Sequence, residues 1–417
     1  MDMFIIRGPC ELRGTVEING AKNAVLPLMA AALLARGKSV IQNVPRLRDV
    51  QTMIQLLEIL GARVTFEKSV LTIDTTRLKR LEAPYELVRT MRASIYVLGP
   101  LVAAHRRARV SMPGGCAWGP RPIDLHLMAL ERLGAKLTLD RGYINATARR
   151  LKGAEIVFPI SSVGATGQTL MACVLARGVT TIKNAALEPD ITELAKALVS
   201  AGAKIEGIGQ PTMTIEGVES IEPLRYRVMP DRIEAGTFAA AAVATAGRVK
   251  VAGCNPSHLE AVVDALRSCG AKIEIGQDSI DVEGPDRIEP VHVVTREYPG
   301  FPTDMQAQMT AVLCRARGTS TVKDTIYTDR FTHIPELRRL AANIRLDGNI
   351  AVIRGVKTLE GAPVMATDIR ASSALIIAGL MARGRTEIRR VYHIDRGYEA
   401  IEKRLRKLGA NIRRVAE

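Results

Sequence analysis

The stretch from Ala154 to Val218 shows most clearly how hydrophobic and polar positions alternate along this chain. It begins with AEIVFP, whose period of two predicts a strand, and continues with the Ala- and Leu-rich run 163–176, which has the length of a helix. After the helix stop at Arg177-Gly178, the β-branched segment VTTIKNA predicts a second strand. ITELAKALVSAG then has the spacing of an amphipathic helix, and AKIEGIG with TMTIEGV predicts a pair of hairpin strands. The pattern therefore predicts a β-α-β-α-β-β unit.

The same unit recurs along the chain. A phrase of the type LGAKI closes each predicted amphipathic helix, and its copies follow one another about 70 residues apart. The copies are LGARV at 60–64, LGAKL at 133–137, AGAKI at 201–205, CGAKI at 269–273, a degraded AANIRL at 341–346 and LGANI at 408–412. Because strands alternate with helices in each copy, we expect mixed α/β layers. Six copies divide into three and three, which predicts two similar lobes with a cleft between them.

Charged and otherwise unusual residues collect where a predicted strand runs into a helix. In α/β proteins ligands bind at the carboxyl ends of strands, where helix N-termini also favour anions. Helix capping would explain single aspartates such as Asp304 or Asp190, but a cation is disfavoured at a helix N-terminus unless an anion binds there. The arginines therefore predict clamps for phosphate or carboxylate. The residues at these junctions include Lys22, Asn23, Arg48, Asp49, Arg92, Ser162, Val163, Gly164, Glu188, Asp190, Asp231, Arg232, Asp304, Asp329, Arg330, Asp368, Arg370, Asp395 and Arg396.

The segment Val110–Leu127, VSMPGGCAWGPRPIDLHL, predicts a strand, a loop rich in glycine and proline, and the start of a helix. Cys116 lies in this loop, five residues before Arg121. A nearby positive charge stabilises a thiolate, and a glycine-rich loop leaves the sulfur accessible. The alternative is an inert thiol, since most free cysteines behave as small buried hydrophobes. Cys116 is therefore a candidate reactive thiol.

Composition narrows the class of partner. The 417 residues include 58 Lys and Arg against 43 Asp and Glu, and the net charge of +15 favours anionic partners. Nucleic acid is the weaker option, because only 4% of residues are aromatic and the basic residues form no block. No apolar run reaches the length of a membrane span, so we expect no membrane insertion. Six scattered cysteines without a CxxC pair indicate reduced thiols in the cytoplasm.

No cofactor and no metal is expected from the motifs. The sequence has no P-loop, no GxGxxG after a predicted strand and no HExxH. Its six histidines are not paired at metal-ligand spacing. Phosphorylated small molecules are therefore the favoured ligands.

Nine motifs spread over the chain have a common counterpart. They are INGAKNA (18–24), TMRAS (90–94), PGGCAWGPRPIDLH (113–126), SVGAT (162–166), PDRIEAGTF (230–238), FPTDMQAQ (301–308), DRF (329–331), ATDIRAS (366–372) and HIDRGYE (393–399). Together they resemble the UDP-N-acetylglucosamine 1-carboxyvinyltransferases, a family of enolpyruvyl transferases. The resemblance implies a two-lobed inside-out α/β barrel built from six βαβαββ repeats, three per lobe. One lobe would span 21–229 and carry the Cys116 loop, the other would span 1–20 and 230–417, and the active site would lie in the cleft.

The reaction that the resemblance implies is transfer of the enolpyruvyl group of phosphoenolpyruvate to the 3′-hydroxyl of UDP-N-acetylglucosamine, with release of phosphate. This is the first committed step of peptidoglycan synthesis. Adding an alcohol across a vinyl bond requires a proton for C3 and a base near the hydroxyl. By resemblance, Cys116 would donate the proton and could capture the substrate as a thioketal. Asp304 would be the base or would orient the sugar hydroxyl.

The resemblance also implies two sets of substrate ligands. Phosphoenolpyruvate would be held by cations, namely Lys22, Arg121 and Arg396, with Arg330 and Arg370 nearby. The UDP-sugar would be lined by Asn23, Arg92, Arg121, Pro122, Ile123, Asp124, Leu125, Ser162, Val163, Gly164, Ile326 and Tyr327.

Two positions depart from the family pattern. Many members carry a Lys where this chain has Ile160, and an aliphatic residue where it has Trp118, its one tryptophan. These departures leave open a divergent second copy of the enzyme. Another enolpyruvyl transferase, of the shikimate 3-phosphate type, is one alternative, and an RNA-end-processing protein of related repeat fold is another. A catalytically silent regulatory homologue is a third.

Overall fold

The computed structural model describes residues 2–113 and 123–416. Its α-helices, numbered along the chain, are α1 Lys22–Ala31, α2 Arg48–Leu60, α3 Tyr85–Val88, α4 Leu98–His105, α5 Asp124–Arg132, α6 Val163–Cys173, α7 Pro189–Ser200, α8 Arg232–Ala244, α9 Glu260–Ser268, α10 Gln306–Leu313, α11 Ile334–Arg339, α12 Ile369–Met381 and α13 Ile401–Lys407. Short 3₁₀ helices span Ala32–Leu34, Arg92–Val97, Pro256–His258, Thr303–Met305 and Val391–Arg396. Among the helices of the described residues, none combines the length and the apolar character that crossing a membrane requires.

The strands of the described residues form six four-stranded sheets. In chain order they are β1 Asp2–Gly8, β2 Arg13–Glu17, β3 Lys38–Gln42, β4 Arg63–Glu67, β5 Val70–Asp74, β6 Glu82–Ala83, β7 Arg107–Ser111, β8 Lys136–Asp140, β9 Tyr143–Thr147, β10 Glu155–Val157, β11 Val179–Lys183, β12 Lys204–Glu206, β13 Thr212–Glu216, β14 Arg225–Arg227, β15 Arg248–Ala252, β16 Lys272–Ile275, β17 Ser279–Glu283, β18 His292–Val294, β19 Thr319–Lys323, β20 Asn343–Asp347, β21 Ile350–Arg354, β22 Pro363–Met365, β23 Gly384–Arg389 and β24 Ile412–Ala416.

All six sheets share one arrangement of parallel and antiparallel strand pairs, which the repeat around α6 and α7 illustrates. Strand β10 pairs in parallel with β11, and the helix α6 makes the crossover between them. Strand β13 pairs antiparallel with β11 and with β12, which places the hairpin at the other edge of the sheet. This is the β-α-β-α-β-β unit that the hydrophobic pattern predicts, and the α/β fold class is confirmed.

The chain divides into two compact units, residues 20–229 and residues 1–19 with 230–417, called here the central and the terminal unit. The central unit holds the sheets β14-β3-β5-β4, β6-β7-β9-β8 and β10-β11-β13-β12. Its last strand completes its first sheet, because Arg225 of β14 lies opposite Val40 of β3. The helix α6 packs on α1 and on α4, and α4 and α6 also pack on strands of the sheets. Their Ala- and Leu-rich faces are buried nearly all round, which explains why these helices lack a polar side.

The terminal unit repeats this plan with both ends of the chain. It holds the sheets β16-β17-β15-β2, β18-β19-β21-β20 and β22-β23-β1-β24. The first strand, β1, lies between β23 and β24, so Phe4 faces Ile388 on one side and Arg414 on the other. The buried helices α8, α10 and α12 pack against one another in this unit.

The LGAKI sequence marks the end of the second helix of each βαβαββ repeat. Its glycines adopt the left-handed backbone conformation that favours glycine, for example Gly61 at φ 104° and Gly202 at φ 102°. In the degraded copy, Ala341 occupies the equivalent position with φ 64°. The amide of Ala342 still donates to the carbonyl of Leu337, as the amide of Ala203 does to Leu198. The backbone motif therefore persists where its preferred residue has been lost.

Replacing Ala341 by glycine is expected to raise the free energy of unfolding by about 0.5–1 kcal/mol. The side chain is exposed, so little packing is lost, while the left-handed strain is relieved. Gly202→Ala is the matched control, because nothing lies within 4 Å of its new methyl group and only backbone strain is added. That control should lower stability by about 1 kcal/mol. Urea unfolding of the unmodified protein and the two variants measures both changes. A less stable Ala341→Gly variant would contradict the left-handed strain at Ala341.

Candidate active site

The structure places several of the unusual residues at the first turns of helices, whereas Arg396 ends the 3₁₀ helix Val391–Arg396 and Arg330 lies between β19 and α11. In the central unit, Lys22 begins α1 and Arg92 begins the 3₁₀ helix Arg92–Val97. Asp124 begins α5 and Val163 begins α6. Amide groups of a helix's first turn have no partner within the helix, so each start is suited to an anion.

Lys22 and Asp49 form a buried ion pair between the starts of α1 and α2. The Lys22 ammonium lies 2.9 Å from a carboxylate oxygen of Asp49, and the two side chains are 13% and 4% exposed. A buried ammonium is costly unless a carboxylate compensates it. Asp49 therefore compensates the charge of Lys22 at the start of α1, and the neighbouring Asn23 is exposed.

The start of α6 is fixed by two neighbouring groups. The hydroxyl of Ser162 accepts a hydrogen bond from the Ala165 amide at 3.3 Å and so caps the helix. A methyl group on Gly164 would lie 2.8 Å from Nε2 of His126, so a larger residue there would force His126 to move. Burial, and then the charge of Arg92, lower the pKa of His126 to about 3 and keep this imidazole neutral. Arg92, α5 and the start of α6 thus lie together.

Three more of the predicted residues directly precede His126 in sequence. Ile123 is buried, Leu125 is half-buried and Asp124 is exposed. A site that binds a base or a sugar ring with charged substituents is expected to combine apolar side chains with polar helix starts, as this region does.

In the terminal unit, Asp304 lies between two guanidinium groups. One carboxylate oxygen is 2.8 Å from Nη1 of Arg330 and the other accepts from Nη2 of Arg370 at 2.6 Å. Both arginine side chains are buried, and that of Asp304 is 23% exposed. The 3₁₀ helix Thr303–Met305 presents Asp304, and its N-cap is Pro302, so the alternative that Asp304 caps a helix is wrong. Capping does occur at Asp231 and Asp368, at the starts of α8 and α12.

The charge state of Asp304 follows from this geometry. Burial alone would raise the pKa of the carboxyl, but the guanidinium groups of Arg370 and Arg330 hold it well below the usual range. Asp304 is therefore an ionised hydrogen-bond acceptor at neutral pH. While both arginines contact it, it is better suited to orient a hydroxyl than to remove its proton.

Arg396 lies at the end of the 3₁₀ helix Val391–Arg396 and is half-buried. Of the remaining predicted site residues, Cys116, Arg121 and Pro122 lie outside the described residues. Within residues 2–113 and 123–416, no group of three or more His, Cys, Asp or Glu side chains is arranged to hold a metal ion.

The sequence and the fold were compared with known proteins. A sequence profile of the family described as EPSP synthase (3-phosphoshikimate 1-carboxyvinyltransferase) matches residues 6–405. The UDP-N-acetylglucosamine 1-carboxyvinyltransferase of Chlorobaculum parvum is 52% identical, over 99% of this chain and 98% of that protein. The enzyme of the same name from Geobacter metallireducens is 51% identical over the whole of both chains. This chain belongs to the UDP-N-acetylglucosamine 1-carboxyvinyltransferase family. Membership of this family makes the chain an enolpyruvyl transferase.

Solved structures agree with this membership. The enolpyruvyl transferase NikO from Streptomyces tendae superimposes with a TM-score of 0.88 and 26% identity, over 100% of this chain and 99% of that one. EPSP synthase from Acinetobacter baumannii has a TM-score of 0.75 at 17% identity over the full length of both chains, which shows the shared fold alone. Neither the shikimate 3-phosphate alternative nor the RNA-end-processing alternative is favoured by these relatives.

The structure also shows residues that support the predicted site residues and whose role the sequence did not indicate. The first is Tyr398. Tyr398 accepts a hydrogen bond from Nη1 of Arg370 at 3.2 Å. Its hydroxyl also lies 2.8 Å from that of Thr237, whose own proton goes to the Ile233 carbonyl, so Tyr398 donates to Thr237. The motif HIDRGYE contains Tyr398, but nothing in a tyrosine's sequence context identifies its partner.

Asp324 is a second unassigned residue. Its fully buried carboxylate accepts from the amides of Ile326 and Tyr327 at 3.0 and 2.9 Å and from the hydroxyl of Thr303 at 2.7 Å. Thr303 in turn accepts from Nη1 of Arg330 at 3.2 Å. Asp324 therefore ties the Ile326–Tyr327 segment to the turn that carries Asp304.

Proposed function

We propose that this chain transfers the enolpyruvyl group of phosphoenolpyruvate to the 3′-hydroxyl of UDP-N-acetylglucosamine and releases phosphate, at the first committed step of peptidoglycan synthesis. The observation that carries the proposal is the 52% identity, over almost the whole chain, to a relative that bears this enzyme's name. Both substrates are phosphorylated small molecules, which suits the net charge of +15. We place the reaction in the cytoplasm, where the six scattered cysteines would stay reduced.

The phosphoenolpyruvate site would be cationic. Lys22, Arg121 and Arg396 would bind the phosphate, and Arg330 with Arg370 would lie nearby. The ion pair with Asp49 holds the Lys22 ammonium at the start of α1. Cations that bind a multiply charged anion also compensate the charge that develops as phosphate leaves.

The chemical step needs an acid and a hydrogen-bond acceptor. The thiol of Cys116 would protonate C3 of phosphoenolpyruvate while the sugar oxygen bonds to C2, and the thiol could also add at C2 as a thioketal. The proton of the sugar hydroxyl would leave with the phosphate, and return of a C3 proton to the Cys116 thiolate would restore the vinyl group on the product. Asp304 would accept the hydrogen bond of the 3′-hydroxyl, the role that its lowered pKa favours.

The nucleotide-sugar site would use the residues grouped around α5 and α6. Arg92, Asn23 and the start of α6 at Ser162–Gly164 would bind the sugar and its diphosphate. The segment 121–125 and the backbone of Ile326–Tyr327 would complete it. In support, Asp324 fixes the latter segment through two amide hydrogen bonds.

The function is tested by phosphate release. We expect release only when phosphoenolpyruvate and UDP-N-acetylglucosamine are both present, and none when shikimate 3-phosphate replaces the UDP-sugar. Release with shikimate 3-phosphate would favour the other enolpyruvyl transferase. Salt-dependent binding of polynucleotide without phosphate release would favour the RNA-processing alternative.

Ile160→Lys is expected to lower the KM for UDP-N-acetylglucosamine about three- to tenfold and to leave kcat unchanged. Ile160 is 64% exposed and lies two residues before the Ser162 cap, so a lysine there could contact the diphosphate. One cation near an anion at a helix N-terminus contributes roughly 1 kcal/mol. Val179→Lys adds the same charge at another exposed position and should leave the KM unchanged. An unchanged KM in the Ile160 variant would show that another cation already fills the role.

A further inference from the structure

Arg414, on the last strand, gathers carboxylates from three separate parts of the terminal unit. Its two terminal nitrogens donate to both oxygens of Asp395, at 2.9 and 2.5 Å. Nη1 also contacts Asp2 of β1 at 3.2 Å, and Nε lies 3.4 Å from Glu402 of α13. A guanidinium with a two-point carboxylate contact is held in orientation as well as in place.

The surroundings of Arg414 further restrict its guanidinium. The group lies over the ring of Phe4, 4.9 Å from its centroid, and Phe4 is fully buried. Phe4 and Arg414 are also opposite each other in the β1–β24 pairing. The Arg414 side chain is only 25% exposed, so water screens its contacts less than those of a surface pair.

Asp395 directly precedes Arg396 in the 3₁₀ helix Val391–Arg396. The apolar side of this turn is anchored by the buried Val391 and Ile394. Its polar side is anchored at Asp395 by Arg414. Two anchors on opposite sides leave the turn little freedom to rotate, and Arg396 extends from the end of it.

We propose that Arg414 is a positioning residue that holds Arg396 in place for the anionic substrate through its two-point contact with Asp395. This inference rests on the proposed function, in which Arg396 binds phosphoenolpyruvate.

The test is steady-state kinetics of Arg414→Met, which keeps an apolar stem against Phe4. We expect kcat/KM for phosphoenolpyruvate to fall on the order of 10- to 100-fold, because small misplacements of a positioning group have effects of this size. The KM for UDP-N-acetylglucosamine should stay within about twofold, a split that general destabilisation would not produce. Arg414→Lys should not restore the rate, because an ammonium cannot make the two-point contact.

Two further variants make the test specific. Asp395→Asn should reproduce the defect, and adding it to Arg414→Met should change little, because both remove the same contact. Arg248→Met is the matched control, since Arg248 on β15 pairs with the single carboxylate of Glu283, at 3.1 Å. Equal changes in both KM values, or additive effects of the two substitutions, would overturn the inference.

Titration of the same proteins with inorganic phosphate separates this inference from the proposed function. Absence of turnover in the unmodified protein would contradict the function. A phosphate affinity lowered about tenfold in Arg414→Met, but not in Arg248→Met, would still support the role of Arg414 at the anion site. Unchanged phosphate affinity would overturn it.

Discussion

Replacing Cys116 by serine is expected to lower kcat by about 10²–10⁴-fold, the usual effect of losing a general acid. A hydroxyl is a far weaker acid than a thiol, so it cannot deliver a proton to C3 of phosphoenolpyruvate. The measurement is phosphate release at saturating concentrations of both substrates, since the binding residues are unchanged. Full activity of Cys116→Ser would remove Cys116 from the proton transfer.

Cys116→Asp separates acid catalysis from covalent capture. A carboxyl can donate a proton, so we expect this variant to retain turnover although it cannot form a thioketal. The epoxide antibiotic fosfomycin, which by resemblance alkylates this cysteine, should inactivate the unmodified protein and spare the variant.

Buried thiols elsewhere provide the internal control. Burial raises the pKa of Cys173 and of Cys314 to about 12, so neither should react with the epoxide under conditions that modify Cys116. An inactive Cys116→Asp variant would show that the thiol is required for more than proton donation.

Much of the fold can be predicted from the sequence because its signals are local. Each LGAKI phrase ends a helix, and even the degraded copy keeps its left-handed residue at Ala341. The strand pairings that involve both chain ends have no such signal. The insertion of β1 between β23 and β24 joins residues near 4 to residues near 388 and 414, and no sequence pattern links positions so far apart. Such pairings are decided by tertiary packing.

For the candidate site, too, some features can be predicted from the sequence and others cannot. Its residues can be predicted by type and position, because charged side chains at helix starts are unusual and a few motifs are distinctive. Their partners cannot be predicted. Asp304 could have met any of the arginines at the junctions, and only the packing of α10 against α12 brings Arg370 to it. The supporting roles of Tyr398 and Asp324 depend on hydrogen bonds across 28 and 21 residues and are likewise decided by the fold.

Asp304→Asn is expected to lower kcat by about 10²–10³-fold while leaving the binding of UDP-N-acetylglucosamine largely intact. An amide keeps the shape of the side chain but presents one acceptor in place of two, and it carries no charge to orient the hydroxyl. Asp304→Glu keeps the charge and displaces it by one methylene, so it should also lose turnover if geometry matters. Calorimetric titration with the UDP-sugar and phosphate release measure the two effects separately. A normal rate in the Asn variant would exclude Asp304 from the reaction.

The same substitution should lower stability, and the pH dependence identifies the cause. Removing the carboxylate leaves the buried guanidinium groups of Arg330 and Arg370 uncompensated, a loss of about 3–5 kcal/mol for a buried pair. Because the pKa of Asp304 is lowered in the folded protein, its stabilisation is present above its ordinary value of 3.8 and is lost as the pH falls toward the lowered pKa. The difference in stability between the unmodified protein and Asp304→Asn should therefore shrink below about pH 4. Asp281→Asn, which removes a half-exposed carboxylate 3.7 Å from Lys250, should show a small difference at every pH. A difference for Asp304→Asn that does not change with pH would mean that packing, rather than the two ion pairs, accounts for the loss.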